Sequence, residues 1–117
     1  MLRDITCFKE IYIVCGYTDL RFGIESLAGI INRKFNRSIF TPGVLYLFCG
    51  KKADRSKGLV WEGDGFLLLY KRASMGHYQW PRTPDECKNI NLDQFRLLLD
   101  GFNIESSIKK VNPTDIV

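Results

Sequence analysis

The sequence predicts an α+β domain: a twisted antiparallel sheet with two helices packed on one of its faces. The chain has 117 residues, enough for a single hydrophobic core, and 45% of them are apolar. Short β-rich runs follow one another at hairpin spacing in the middle of the chain, and only two stretches repeat their apolar residues with a helical period. Because strands joined by short turns pair antiparallel, the predicted order is β-α-β-β-β-β-α.

A strand and a helix are predicted in the first third of the chain. Residues 11–15 form an apolar, β-branched run that Gly16 ends. Apolar side chains then recur at i, i+3, i+4 and i+7, so we expect an amphipathic helix over about residues 20–35. Three basic residues near its end complement the helix dipole: Arg33, Lys34 and Arg37.

The middle of the chain predicts a meander of four strands. Residues 44–49, 59–61 and 66–71 are apolar runs of strand length. A glycine-bracketed loop joins the first two runs, and a glycine-rich hairpin turn joins the last two. A fourth strand is expected at residues 77–80. Its Tyr78 and Trp80 either complete the core, which we favour for Trp80, or lie on an open face of the sheet.

The second helix is predicted to begin after Asn91, because Gln94 follows at the spacing of a capping box. Leucine and phenylalanine side chains line one of its faces, and Gly101 is expected to end it. We therefore expect one domain over residues 1–102. A polar, flexible tail is expected over residues 103–117.

The composition argues against several classes of protein. No apolar run approaches the roughly 18 residues that span a bilayer, and no signal-peptide segment follows Met1, so we expect a cytoplasmic protein without a membrane partner. The cysteines are too far apart for a thiolate zinc site. Cys15 and Cys49 lie in apolar runs and are predicted to be small buried hydrophobes. No cofactor and no metal site is predicted.

The positive charge of the chain is concentrated in one segment. The chain has 17 basic and 13 acidic residues, and residues 51–82 hold seven of the basic against three of the acidic ones. This segment therefore carries the entire net charge of +4. A positive patch on a neutral background favours binding to a polyanion such as nucleic acid. A solvated basic loop that only aids solubility is the alternative.

The strongest local signal is the loop at residues 50–58, which we expect to be a flexible basic finger. It departs from the phosphate-loop pattern and precedes a strand, so Walker-type nucleotide binding is not predicted. Outside the loop, Arg21 either pairs with Asp19 or projects toward the same polyanion. The predicted phosphate-binding residues are Arg21, Lys51, Lys52, Arg55, Lys57, Lys71 and Arg72.

Catalysis is not predicted. Asp54, Glu62 and Asp64 could hold a divalent metal in a small nuclease, since paired carboxylates bind such ions. However, Glu62 and Asp64 belong to a hairpin turn, and Asp54 has basic neighbours with which to pair. The single histidine, His77, has no adjacent nucleophile.

Five motifs occur in order along the chain: GYTDLRFG (16–23), LFCGKKADRSK (47–57), WEGDGF (61–66), YKR (70–72) and GHYQWP (76–81). They resemble the motifs of the insertion-sequence-66 accessory proteins, often called TnpB or Orf2, over about residues 11–102. The resemblance implies an accessory protein encoded beside a DDE-type transposase and needed for transposition of the element.

The resemblance also marks individual positions. The chain departs from the family pattern at Phe22, where a basic residue is common, and at Ser56 and Gly58, where larger side chains are usual. The matching positions are Asp19, Arg21, Gly50, Lys51, Lys52, Asp54, Arg55, Lys57, Gly63, Gly65, Lys71, Arg72, Trp80 and Pro81.

Two functional hypotheses follow. The first is a non-catalytic DNA-binding factor that contacts the ends of the element and assists a separate transposase. The second is a protein-interaction module that docks on the transposase without direct DNA contact. This second hypothesis needs an exposed apolar patch, for which Tyr78 and Phe22 are candidates.

Overall fold

The computed structural model describes residues 8–83 and 86–100, and their fold is α+β, as predicted. Helix α1 (Ile24–Gly29) continues as a π-helical turn (Ile30–Lys34), and helix α2 spans Leu92–Leu99. In the described part of the chain, no helix is long and apolar enough to cross a membrane. Gly101 and the predicted tail at 103–117 lie outside the described residues. The strands are Glu10–Val14 (β1), Val44–Cys49 (β2), Arg55–Trp61 (β3), Phe66–Arg72 (β4) and Cys87–Ile90 (β5).

The five strands form one mixed sheet in the order β4-β3-β2-β1-β5. β1 and β2 pair in parallel, and the other three pairs are antiparallel. The prediction of an all-antiparallel sheet was wrong at the β1–β2 pair. The physical reason is the helical connection between these strands, which returns the chain to the end of the sheet where β1 began.

The last strand is not where the sequence predicted it. Residues 77–80 are not in a strand. They lie against the turn between β2 and β3, where the Tyr78 amide donates to the Ala53 carbonyl at 2.6 Å. β5 lies further along the chain and pairs with β1, with Ile90 opposite Ile11. Its sequence, Cys-Lys-Asn-Ile, lacks the apolar run that identified the other strands.

The two helices pack on opposite faces of the sheet, which corrects the prediction that they share one. Alternate residues of β2 enter two separate cores, so the strand is buried along its whole length. We call the two surfaces the α1 face and the α2 face. The core of the α1 face contains Val44, Tyr46, Phe48, Leu27 and Ile31. The core of the α2 face contains Leu45, Leu47, Cys49, Phe95 and Leu98.

Tyr78 and Trp80 belong to the core of the α2 face, and each is only 4% exposed. The Trp80 indole Nε1 donates to the Val14 carbonyl oxygen at 2.8 Å, which ties the 77–80 segment to β1. The expectation for Trp80 is confirmed. Tyr78 is therefore not part of an exposed apolar patch.

Several smaller predictions are confirmed. Asn91 and Gln94 form the capping box of α2, with both reciprocal hydrogen bonds at 2.8 Å. Cys15 and Cys49 are buried, and burial raises the pKa of the Cys49 thiol to about 12. A neutral, buried thiol of this kind is a packing residue rather than a nucleophile.

The basic cluster at the end of the first helix has structural partners. The Arg37 guanidinium lies 4.0 Å from the centre of the Tyr12 ring and donates to the Tyr46 hydroxyl at 3.2 Å. Arg33 Nε donates to the Gly29 carbonyl at 3.3 Å. These contacts are local to the helix and the adjoining sheet. Arg33 and Lys34 lie in the last turn of the helical segment, where basic residues were predicted, and Arg37 lies beyond its end.

Candidate nucleic-acid interface

The predicted basic finger is a tight turn, Gly50–Asp54, because residues 55–58 belong to β3. The Ala53 amide donates to the Gly50 carbonyl at 2.9 Å, and the Gly50 amide donates to the Arg55 carbonyl at 3.1 Å. Lys51 and Lys52 lie exposed at the tip. The predicted bounds of the loop, 50–58, were wrong, since the ladder of β3 begins at Arg55, earlier than the glycine spacing indicated.

Neighbouring segments hold this turn in place from two sides. The Ala73 amide donates to the Asp54 carbonyl at 2.7 Å, next to the bond between Tyr78 and Ala53. On the other side, the Thr18 amide donates to the Cys49 carbonyl at 2.8 Å. A Cβ atom at Gly50 would lie 3.1 Å from Leu20 Cδ1, so glycine allows Leu20 to pack closely against the turn.

The segment at residues 17–22 lies beside the turn and carries Arg21. Asp19 accepts from the Arg21 backbone amide at 3.0 Å and from Arg21 Nη2 at 2.6 Å. These bonds lower the pKa of Asp19 to about 2. Lys57 Nζ donates to the Phe22 carbonyl at 3.1 Å and thereby anchors the segment to β3. The Arg21 side chain remains 90% exposed despite its pairing.

Together, the segment and the turn enclose an open cleft of about 630 Å³, which we call the basic cleft. Four of the seven predicted phosphate-binding residues line it: Arg21, Lys51, Lys52 and Arg55. Two carboxylates, Asp19 and Asp54, also line it and offset part of the positive charge.

The remaining three predicted residues lie outside the cleft. In the β3–β4 ladder, Arg72 is opposite Arg55, and Lys57 is opposite Tyr70. Because side chains alternate along a strand, Arg55, Lys57 and Arg72 are on the α1 face, and Lys71 is on the α2 face. The structure thus places Lys71 on the opposite face of the sheet from Arg55, Lys57 and Arg72. Arg72 lines a second hollow of about 470 Å³, next to His77 and Asp54.

The charges at this end of the sheet are only partly compensated. Arg55 and Arg72 are directly opposite each other, an arrangement that destabilises a sheet. Arg55 Nε lies 3.8 Å from Asp54 Oδ1, too far for a hydrogen bond. Among the described residues, this buried nitrogen has no hydrogen-bond partner. An anion placed near both guanidinium groups would reduce their mutual repulsion.

Comparison with protein-family models matches residues 9–109 to the family described as IS66 Orf2 like protein. The chain belongs to this family. The IS66 Orf2-like proteins are accessory proteins of insertion elements rather than a known catalytic family, and the resemblance inferred from the five motifs is confirmed.

Two relatives of this IS66 Orf2-like chain come from Sinorhizobium fredii (strain NBRC 101917 / NGR234). Uncharacterized protein y4hO is 27% identical over 107 residues, which cover 92% of each chain. Uncharacterized protein y4jC is 25% identical over 85 residues, which cover 73% of this chain and 72% of the relative. No solved structure matches the chain significantly.

In this family member, the sequence analysis missed two tyrosines that line the basic cleft, Tyr17 and Tyr70. Their side chains are among the exposed large hydrophobic groups, at 44% and 54% exposure. The sequence did contain a signal that these tyrosines belong to the site. Tyr17 lies in GYTDLR and Tyr70 lies in YKR, and each of these motifs also contains a predicted phosphate-binding residue.

The three carboxylates considered for a metal site do not come together. Asp54 immediately precedes β3, whereas Glu62 and Asp64 follow its other end. The seven residues of β3 separate them by roughly 20 Å. Within residues 8–83 and 86–100, no three histidine, cysteine, aspartate or glutamate side chains form a group that could hold a metal ion.

Proposed function

We propose that the chain is a non-catalytic nucleic-acid-binding factor that contacts the DNA of the element ends and assists a separate transposase. The observation that carries this proposal is the meeting of four cations from two distant segments in the basic cleft. Phosphate oxygens are the ligands that such a set of lysines and arginines prefers.

The hydrogen bonds that order the site support the proposal. Lys51 and Lys52 project from a hydrogen-bonded turn, and Arg21 is held in position by Asp19. Because the backbone is already ordered, binding does not have to offset the entropy of ordering a loop. Arg55 and Arg72 add a local repulsion that a bound phosphate would relieve.

Contacts of this kind supply affinity without sequence preference. Each phosphate that is neutralised contributes roughly −0.9 to the slope of log affinity against log salt concentration. If the four cations of the basic cleft each neutralise one phosphate, four such contributions add up to a slope of roughly −3.6 on duplex DNA. Sequence selection would then come from the transposase.

The test is a fluorescence-anisotropy titration of the full chain with labelled DNA at several salt concentrations. The double variant Lys51→Gln/Lys52→Gln is expected to bind more weakly and to reduce the magnitude of the salt slope by about 2. The matched control, Arg33→Gln/Arg96→Gln, removes the same charge from residues that do not line the cleft. A flat salt dependence, or an equal loss in the control, would contradict the proposal.

A second candidate function is docking on the transposase without direct DNA contact. An aromatic cluster at the other end of the sheet favours it, because Phe40 is 60% exposed and its ring lies 5.0 Å from the ring of Trp61. Co-purification of the chain with the transposase, after nuclease has removed nucleic acid from the sample, distinguishes direct docking from binding through DNA. Loss of the complex in Phe40→Ser, together with its retention in Lys51→Gln/Lys52→Gln, would support docking.

A further inference from the structure

Two exposed tyrosines share the basic cleft with its four cations, and phosphate binding alone gives them no role. Tyr17 and Tyr70 approach from different segments, one before α1 and the other in β4. The largest fully buried aromatic side chains, by contrast, are Tyr46, Phe48 and Phe95. Aromatic rings beside cations in an open cleft are typical of surfaces that stack unpaired bases.

The position of Tyr70 separates it from the hydrophobic core. Along the α1 face of β4, Phe66 and Leu68 pack against the core, whereas Tyr70 is 54% exposed. Its backbone is fixed in the ladder opposite Lys57, whose ammonium group is bound to the Phe22 carbonyl. Tyr70 therefore lines the cleft from a ladder-paired backbone position and keeps about half of its surface exposed.

The position of Tyr17 is fixed in a similar way. The following residue, Thr18, donates its amide to the last residue of β2, and Leu20 packs against the turn at Gly50. Tyr17 is thus held at the rim of the cleft and still exposes 44% of its surface. Each ring thus lines the cleft from a backbone that is already hydrogen-bonded nearby, which reduces the cost of ordering on binding.

We infer that the basic cleft binds a single-stranded nucleic acid, with bases stacked on Tyr17 and Tyr70 and phosphates on the surrounding cations. This inference rests on the proposed function and specifies its substrate. A duplex keeps its bases stacked on one another and presents mainly phosphates and sugars to a protein surface, so the two rings would find no base to stack on. In a single strand, each base offers a free face.

The size of the cleft agrees with this substrate. A volume of about 630 Å³ falls within the range of pockets that hold small organic ligands, about 300 to 1,000 Å³. Such a space is large enough to admit individual nucleotides. Arg21 and Lys51 lie on the cleft wall, where the connecting phosphates of a bound strand would pass.

The test measures binding of the full chain to four labelled probes of equal length: a mixed-sequence DNA strand, the same sequence as RNA, its duplex, and an oligo-dT strand. The DNA strand is expected to bind at least tenfold more tightly than the duplex. Tyr70→Leu and Tyr17→Leu should each weaken single-strand binding by roughly fivefold or more and leave duplex binding within twofold. The salt slope should not change, because no cation is lost.

Two controls separate stacking from folding. Tyr70→Phe keeps the ring and should retain single-strand affinity, and Phe40→Leu removes an exposed ring far from the cleft and should have no effect on binding. Circular dichroism of each variant confirms that it is folded. Tighter binding of the DNA strand than of the RNA strand would support DNA as the source of the strand, and tighter binding of the RNA strand would contradict the proposed contact with DNA. The ratio of strand to duplex affinity decides whether the substrate is single-stranded.

The outcomes distinguish this inference from the proposed function. Salt-dependent binding to duplex and single strand with equal affinity, unaffected by loss of either ring, would overturn the single-strand inference and leave the proposed function intact. Absence of binding to every probe at low salt would overturn both. Preference for the single strand without sensitivity to Tyr17 or Tyr70 would also overturn the stacking inference.

Discussion

The two ends of the β3–β4 ladder carry opposite kinds of cross-strand pair on the same face of the sheet. At one end, Trp61 lies opposite Phe66, with ring centres 4.9 Å apart in an edge-to-face arrangement. At the other end, Arg55 lies opposite Arg72. The aromatic pair stabilises the ladder, and the pair of like charges opposes it.

This difference separates an end whose cross-strand pair stabilises the sheet from an end whose cross-strand pair destabilises it. A residue pair that weakens the fold is expected where its side chains serve another purpose, such as binding an anion. The aromatic end shows no such conflict, because its rings contact one another. Substitutions at the aromatic end should therefore mainly lower stability, and substitutions at the charged end should mainly weaken binding.

The largest expected effect is the loss of stability in Trp61→Ala. The substitution removes a half-buried ring and its contacts with Phe40 and Phe66. We expect the free energy of unfolding, measured by urea denaturation, to fall by about 2 to 3 kcal/mol, and nucleic-acid affinity to be unchanged. The matched control is Tyr70→Ala, an exposed aromatic residue of the same hairpin, which should cost less than about 1 kcal/mol. If both variants lose the same free energy of unfolding, the aromatic pair does not stabilise the ladder more than an exposed ring does, and the two ends do not differ as described.

A smaller effect on stability, combined with an effect on binding, is expected for Gly50→Ala. The added methyl group would lie 3.1 Å from Leu20 Cδ1, so Leu20 and the segment around it must shift. We expect about 1 kcal/mol of destabilisation and weaker binding, because the shift separates Arg21 from the turn.

Gly63→Ala is not a suitable control because Gly63 has a positive φ of 97°. Gly65→Ala, which has open space around its added atom, is suitable.

The contrast would be sharpened by Arg72→Gln, which should raise stability while weakening binding. The variant removes the repulsion between Arg72 and Arg55 across the ladder. A gain of about 0.5 kcal/mol is expected in urea denaturation, and it should shrink at high salt as the repulsion is screened. If Arg72→Gln is instead destabilised, Arg72 supports the fold and the two ends do not differ in the way we describe.

The smallest effect concerns the titration of Asp19. Its hydrogen bonds with Arg21 lower its pKa to about 2, so its carboxylate stays charged well below the ordinary value of 3.8. The ordering of Arg21 is therefore present above about pH 4 and is lost as the pH falls toward 2. Carbon-detected NMR titration of Asp19 should show this midpoint. In Arg21→Gln the midpoint should move part of the way back toward 3.8, since the backbone hydrogen bond remains, and an unchanged midpoint would exclude the Arg21 side chain as its cause.

Much of the fold could be predicted from local patterns. The bounds of β2, the capping box of α2 and the burial of Trp80 all follow from residues that are close in sequence. The packing of both helices on one face was predicted wrongly, although β2 contained a contrary signal. Its six consecutive apolar residues are typical of a strand covered on both faces.

The site was predicted less completely, since it depends on which face each side chain occupies. Lys71 and Arg72 were assigned to one surface, but neighbouring residues of a strand point to opposite faces. The alternation of side chains along β4 is enough to predict that Lys71 and Arg72 lie on different faces. The proximity of Arg21 to Lys51 could not be predicted from the sequence pattern, because it depends on the hydrogen bond from Thr18 to the end of β2.

The pairing of β1 with β5 has a consequence for synthesis on the ribosome. Ile11 finds its partner Ile90 only after almost the whole described chain has been translated. Until then, β1 exposes one edge of unpaired amide and carbonyl groups, which other chains can use as a template for aggregation. A nascent chain of this protein thus depends on β5, which comes last among the described strands, to cover the edge that β1 would otherwise expose.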